Sequence, residues 1–488
     1  MNWSGRKSMP FCILLLAAGC GTTRPGALIQ PATPNSPQTI TSEAANRNAP
    51  PRVVFGIPRA STEATIVSLA HHQGESVSPK QALSVDAFVE EVLARNPSLA
   101  QMNAAWQAAS ARYPQVRSWD DPMLSGMMAP SSFGSNSVES GYRVELSQKI
   151  PFPGKLRLRG QGALSDASAA GNDVEDMRVQ LIESARLAFY DYYLAGRAIA
   201  VNEESLQLLK RFRKNADDRY ILGKVPLQDV LQADVEIGRQ QERGATLNRM
   251  RKVAIARINT LRNSPLDAPI ADPPELLEIK AGLPSVENLR TLALAQRPDL
   301  KAMEDRIASE QAGLQLAFKD FYPDVEVAAA YDTIMGNGPA RDLAAQVGVR
   351  MNLPIRMGRR QGAVTEAYAK IAQKKAELAS RVNQVQFQVQ EAYEQLLESE
   401  RILALYENSI LPTAGKNVKA AQDAYVAADG KMPYPFLSLI EAQRNLVNLR
   451  DRNYEATADY FRRRATLERV IGGPVSTAGE PTRPIQKK

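Results

Sequence analysis

The 488-residue chain is poor in the residues that enzymes use. Its two histidines are adjacent, His71-His72, and its two cysteines are Cys12 and Cys20. A histidine pair has the nitrogens to touch a metal ion, but no cysteine or carboxylate cluster accompanies it, so it reads as a solvated pair. There is no His-Glu-x-x-His, no Walker loop, no Cys-x-x-Cys and no Ser-His-Asp set. Gly336-Asn337-Gly338 is too short to cradle a phosphate, and no helix start follows it; it signals a turn. Met102, Met123, Met127 and Met128 offer thioether sulfur, which suits soft cations and equally suits apolar packing on a strand. With no nucleophile, acid pair or metal set in view, the expectation is a protein that is not an enzyme and holds no metal.

The context of Cys20 points to its chemistry. Arg6-Lys7 form a basic region, residues 10–16 an apolar one, and Ala17-Ala18-Gly19 a small-residue cleavage site. In this the chain resembles a bacterial lipoprotein precursor, whose cysteine is acylated and becomes the first residue. Ala17 stands where such precursors usually have leucine, with Leu16 one position earlier. Ordinary cleavage leaving a free thiol is the alternative. Residues 1–19 are thus expected to be a signal peptide and Cys20 a lipidation site, its covalent lipid the only cofactor. Each buried acyl CH₂ adds about 0.8 kcal/mol of membrane affinity. Gly21 follows the cysteine where aspartate would, by the same resemblance, retain the chain at the inner membrane. Cys12 leaves with the signal, so no disulfide is expected.

Composition narrows the remaining classes. The chain is 44% hydrophobic, enough to exclude global disorder. Mean hydropathy is −0.31, and the only long apolar run, residues 9–18, is too short to span a bilayer. A helical membrane bundle is excluded, whereas a β-barrel, whose strands average to neutral hydropathy, is not. The net charge of +7 is interspersed with acids rather than gathered in a stripe, which argues against nucleic acid as a partner.

Residues 20–82, rich in Pro, Thr, Ser and Asn, read as a tether carrying the acyl group. The rest repeats itself. Residues 84–99 correspond to 285–300, Pro122 to Pro323, Ile150-Pro151 to Leu353-Pro354, Ala188-Phe189 to Ala392-Tyr393, and Gly223-Lys224 to Gly430-Lys431. Two copies, 83–264 and 285–473, flank a Pro-rich linker, 265–284; residues 474–488 read as a disordered tail. Each copy predicts helix, strand, strand, long helix, turn, helix. Helices are expected over 84–118, 155–222 and 226–262, then 285–321, 359–429 and 435–471. The first of each set should break at Asn96-Pro97 and Arg297-Pro298, and Pro412 should bend the second long helix. Val174, Met177, Leu181, Ala185, Ala188, Tyr192, Ala195 and Ile199 form a heptad-like seam. The two shorter helical regions together match the long one in length, so they are expected to stack end to end beside it.

The strands alternate. Tyr142, Val144, Leu146 and Ile150 oppose Arg143, Glu145, Ser147 and Lys149, and Val325, Val327, Ala329 and Tyr331 oppose Glu326 and Asp332. Ala345, Val347, Val349 and Met351 alternate with Gln346, Gly348 and Arg350, and residues 123–129 supply the fourth strand. Segments 131–141 and 333–342 are expected to be loops. Strands apolar on one face and charged on the other suit a barrel with lipid outside and water within. Four strands do not close a barrel, so chains must share one.

Glu145-Leu146-Ser147-Gln148-Lys149-Ile150-Pro151-Phe152-Pro153-Gly154-Lys155 resembles the strand-to-helix junction of TolC-like outer-membrane efflux proteins. Arg219-Tyr220-x-x-Gly223-Lys224 with Asp229-Val230-Leu231-Gln232-Ala233, Arg297-Pro298-Asp299-Leu300 and Glu441-Ala442-Gln443-Arg444 are similar too. Within that family the junction looks most like the heavy-metal, CusC/CzcC-type branch. The resemblance implies a mixed α and β membrane protein. It would be a homotrimer with a 12-stranded outer-membrane barrel continued by a coiled-coil tunnel across the periplasm. It further implies partners: a periplasmic adaptor (membrane fusion protein) and an inner-membrane resistance-nodulation-division pump. Arg143, Glu145, Lys149, Glu326, Asp332 and Arg350 would line the barrel. The turns at Gly223 and Gly430 would form the periplasmic tip, and the family's acidic gate maps to Asp229 and Gln232, and to Ser438 and Glu441. Asp229 is better explained as a first-turn carboxylate favoured by the helix dipole; Arg219 suits the dipole at the other helix end, or alternatively bridges to a neighbouring chain and holds the tip shut. Function is thus expected to be an exit duct for heavy-metal cations or small toxic compounds. The alternatives are the duct of an ATP-driven secretion or drug exporter, and a poreless coiled-coil lipoprotein.

Overall fold

The structure, a computed structural model, describes residues 83–128, 140–279, 282–335, 344–427 and 435–475. The elements run α1 (Val85–Arg95), α2 (Pro97–Arg117), β1 (Met123–Met128), β2 (Ser140–Ile150), α3 (Lys155–Ile221) and α4 (Leu227–Leu261). A second series follows: α5 (Val286–Gln296), α6 (Pro298–Lys319), β3 (Val325–Met335), β4 (Ala344–Met351), α7 (Met357–Leu405), α8 (Leu411–Ala427) and α9 (Pro435–Ile471). The breaks at Pro97 and Pro298 occur where the sequence puts them. The single helix expected over 359–429 is two, because a π-turn at Tyr406–Ile410 separates α7 from α8 just before Pro412. Strand β2 begins at Ser140 and β3 continues to Met335, so the expected loops yield residues to the strands.

Among the described residues no helix is long and apolar enough to cross a membrane. The strands form one antiparallel sheet in the order β1-β2-β3-β4. The central pair joins the two series: β2 and β3 are in register over eleven residues, from Ser140↔Met335 to Ile150↔Val325. At 1.5 Å per residue, α3 is about 100 Å long. Helices α2 and α4 both pack along it, as expected, and α6 and α9 of the second series pack on it as well. That double packing widens the buried surface beyond the heptad seam to Phe189, Tyr190, Tyr193 and Val201. The main core gathers Phe88, Phe189, Tyr192, Leu289, Val389, Leu396 and Leu467 from five helices. The linker lies against α3, with Pro273 so close to Gly196 that a Cβ there would sit 2.9 Å from its ring.

Sheet and helices meet at Lys155. This lysine opens α3, where its charge opposes the helix dipole, and it is only 2% exposed. Two carboxylates hold it there, Asp320 and Asp324, each 3.0 Å from Nζ. Asp324 also accepts the Phe152 N–H at 2.8 Å, and Phe152 stacks on Tyr322 with ring centroids 4.5 Å apart. The end of β2 is thereby bolted to the turn between α6 and β3. Gly154, at φ +94°, makes the left-handed step into the helix. Replacing Lys155 by Met keeps the volume and strands a carboxylate, so Lys155→Met should cost about 3 kcal/mol. Thermal unfolding in detergent checks this; an unchanged midpoint would show that the clamp is dispensable.

Candidate functional site

Three clusters of polar side chains stand out, and the elements above fix each of them. The first is one face of the sheet. Directly opposed residues of antiparallel strands share a face, so the register sets Arg143, Glu145, Ser147 and Lys149 beside Glu326, Ala328, Ala330 and Asp332, and these beside Gln346, Gly348 and Arg350. Glu145 is 7% exposed and pairs with Arg350, reaching across β3, and with Arg143 at 3.3 Å. Arg350 also approaches Glu326 at 3.6 Å. The opposite face is apolar and open: Leu146 is 51% exposed, Val347 81% and Val349 65%. Gln148 falls on that face near the helical end, where its amide donates to the Asp120 carbonyl at 2.7 Å. The sequence left open where the methionines go. The register puts Met123 and Met127 on the charged face and Met128 on the apolar one, all three largely exposed in the single chain.

The second cluster surrounds the turn between α3 and α4. Gly223, at φ +70°, ends α3: its N–H donates to the Tyr220 carbonyl at 2.8 Å and that of Lys224 to the Arg219 carbonyl at 2.9 Å. Pro226 precedes α4, and Asp229 lies in the first turn. Arg219 reaches α8 of its own chain. Its Nη1 donates to the Tyr425 carbonyl at 2.6 Å and its guanidinium lies 4.7 Å over the Tyr425 ring, a bridge from α3 to α8 within the single chain. Burial pushes the Asp229 carboxyl up, and Arg219 pulls it partway back. Phe212, Val230, Tyr425, Phe436, Leu439 and Ile440 form a separate apolar core beneath these groups. Ser438 and Glu441 lie exposed on α9. Gly430 and Cys20, with His71 and His72, lie outside the described residues. No group of histidines, cysteines and carboxylates that could hold a metal ion occurs among the described residues.

The third cluster, which sequence reasoning quoted as a motif without a role, sits at the helix breaks. Buried Arg297 grips Asp299 with two bonds of 2.8 Å and donates to the Val470 carbonyl at the end of α9, at 3.2 Å. Asp299 also accepts from Arg381 on α7. In the first series Asn96 does the same work: its amide donates to the Leu261 carbonyl at the end of α4, at 3.0 Å, while its oxygen caps α2. Each break therefore satisfies a carbonyl that its last helix leaves unpaired. The residue pattern at 96–98 and 297–299 was the available signal.

A comparison with known proteins decides what carries these clusters. The sequence profile of the family described as Outer membrane efflux protein matches residues 88–264 and 289–473. The chain belongs to this family. Among curated proteins, the toluene efflux pump outer membrane protein TtgF of Pseudomonas putida is 27% identical over 216 residues. That match spans 42% of this chain and 42% of TtgF. The outer-membrane channel OprN has the same fold, at a TM-score of 0.68 and 20% identity, over 82% of this chain and 94% of its own. CusC is similar at a TM-score of 0.68 and 17% identity, over 80% and 92%.

The helix-break network has an acid signature. Burial pushes the Asp299 carboxyl up, but Arg297 and Arg381 outweigh it and hold the group below the ordinary carboxylate range. Its stabilisation is complete above the unfolded value of about 3.9 and is lost as pH falls through the lower folded value. Asp299→Asn should lower stability at pH 7 by about 1–3 kcal/mol. It should also remove part of the acid dependence below about pH 4 in thermal unfolding. Parallel curves for variant and wild type would contradict the assignment.

Proposed function

We propose that this protein is the outer-membrane exit duct of a tripartite efflux pump, moving heavy-metal cations or small toxic compounds from the periplasm to the exterior. The observation that carries the reading is the four-stranded sheet, charged on one face and apolar on the other, joined to a helix about 100 Å long. Such a sheet is stable in a bilayer only if its outer strands find partners. Three chains sharing a 12-stranded barrel supply them, with Arg143, Glu145, Lys149, Glu326, Asp332 and Arg350 toward the lumen. Exposed apolar residues on α4 (Leu231, Val235, Met250, Val253) and on α7 and α8 (Tyr368, Phe387, Leu405, Val426) suit packing between neighbouring chains of a homotrimer.

The α3–α4 turn presents Ile221, Leu222 and Leu227 to solvent, a fitting seat for a periplasmic adaptor that links the duct to a resistance-nodulation-division pump. Arg219, Gly223 and Asp229, with Gly430, Ser438 and Glu441, belong to the gated tip in this reading. A lipid on Cys20 would add a second membrane anchor to the barrel. Palmitate labelling that Cys20→Ser abolishes reports that lipid, and equal labelling refutes it.

In planar bilayers the purified protein should open discrete conductance steps. Glu441→Ala, alone and with Arg219→Ala, should weaken block by divalent cations added on the periplasmic side, since three carboxylates about one axis attract cations. A preparation that never conducts refutes the duct. Deleting the gene should sensitise cells to copper, silver, zinc or cobalt if metals are the cargo; sensitivity to toluene alone would assign small organic compounds instead.

A further inference from the structure

The polar face of the sheet is highly charged and yet balanced. The register sets Arg143, Lys149 and Arg350 on it together with Glu145, Glu326 and Asp332. Across the strands the signs alternate: Arg143 stands opposite Asp332, and Glu326 stands between Lys149 and Arg350. No like charges are directly opposed, an arrangement that cross-strand pairing favours. The same face of β1 carries no charge, and its Ser125 lies directly opposite Glu145.

Glu145 holds the centre of this pattern. It is buried and pairs with two cations, Arg143 at 3.3 Å and Arg350 from β4. To reach it, Arg350 crosses β3, where the register places Ala328 and Ala330. Both alanines are buried, so the arginine lies along the wall rather than extending from it. On the way Arg350 also meets Glu326 at 3.6 Å. The field of such paired charges falls off faster with distance than that of either charge alone. A Debye length of about 8 Å in physiological salt removes most of the rest.

We infer that the barrel wall passes cargo without regard to its charge, and that Glu145 is the residue that sets this. The inference rests on the duct reading, which makes this face a lumen. The balance holds chain by chain, so it does not depend on how many chains close the barrel. Metal cations, organic anions and uncharged compounds then meet the same wall, and any preference for cations is exercised before the barrel. Removing the Glu145 carboxylate leaves each chain one positive charge in excess and releases two guanidinium groups, turning the wall toward anions.

A thiol on the wall reads the local potential without a current. Gly348 lies on the polar face, where an added Cβ meets no atom within 4 Å. Full-length Gly348→Cys protein, in a Cys12→Ser, Cys20→Ser background and an uncharged detergent, is treated at low ionic strength with two methanethiosulfonates. One carries a trimethylammonium group and the other a sulfonate. Their rate ratio, cation over anion, should match the ratio measured on 2-mercaptoethanol. Glu145 is two strands across and two residues along from Gly348, about 12 Å. Glu145→Gln should therefore lower the ratio about two- to threefold. Arg350→Gln should raise it, and the double variant should return it to the wild-type value, which a merely structural role for Glu145 does not predict. A wild-type ratio as far from the reference as either variant's, or a ratio that neither substitution moves, overturns the inference. Conductance of the same samples reads the duct separately: balanced rates in a protein that never conducts keep the neutral face and refute the duct.

Discussion

The backbone of β1 and β4 sets the terms for everything else. Each outer strand turns one row of N–H and C=O groups toward a β neighbour and the other row toward nothing in its own sheet. In water such edges are tolerable; beside an apolar face that belongs in lipid they are not, because hydrocarbon offers no hydrogen bonds. Met123–Met128 and Ala344–Met351 therefore read as halves of a pairing that another copy of the chain completes. The charges on the polar face are compatible with this: Glu145, Glu326, Arg143 and Arg350 satisfy one another within one chain, so the face enters an assembly already neutralised.

The helices hold those edges in position. Because β2 pairs with β3, the two series meet in the middle of the sheet, and they meet again where α3 packs on α6. Lys155 ties the two meetings together, a buried cation whose carboxylates come from the other series. Asn96 and Arg297 then lock each helix break to the end of the last helix of its own series. These buried clamps lie near the sheet and the main core. Toward the far end the ladder is interrupted, the core is small and one arginine spans from α3 to α8.

Much of this was legible in the residues. Proline marks both helix breaks and both strand ends, and the alternation of Val144, Glu145, Leu146 and Ser147 gives the faces of β2 directly. The family motif at 145–155 added the expectation of three chains, a number that the strand count of one chain does not contain. Other features were hidden for physical reasons. A π-turn costs one residue and leaves the apolar spacing almost intact, so Pro412 signalled a disturbance without its form. Arg219 sits at a helix end, where dipole, neighbouring chain and its own chain offer equal local logic; only the fold brings Tyr425 to it. The faces of Met123 and Met127 depend on register with β2, which a six-residue strand does not specify alone.

Pairing of β1 with β4 between chains is the central claim, and engineered disulfides test it most directly. Cysteines placed singly at Leu124 or Gly126 on β1 and at Val347 or Val349 on β4, combined pairwise in a Cys12→Ser, Cys20→Ser background, sample the adjacent registers of the outer face. Oxidation in outer-membrane preparations should give, for at least one combination, a reducible ladder on denaturing gels that ends at three chains. Failure of every combination to cross-link, with the protein folded and membrane-bound, would contradict the shared barrel, and a ladder ending at two would contradict its threefold closure.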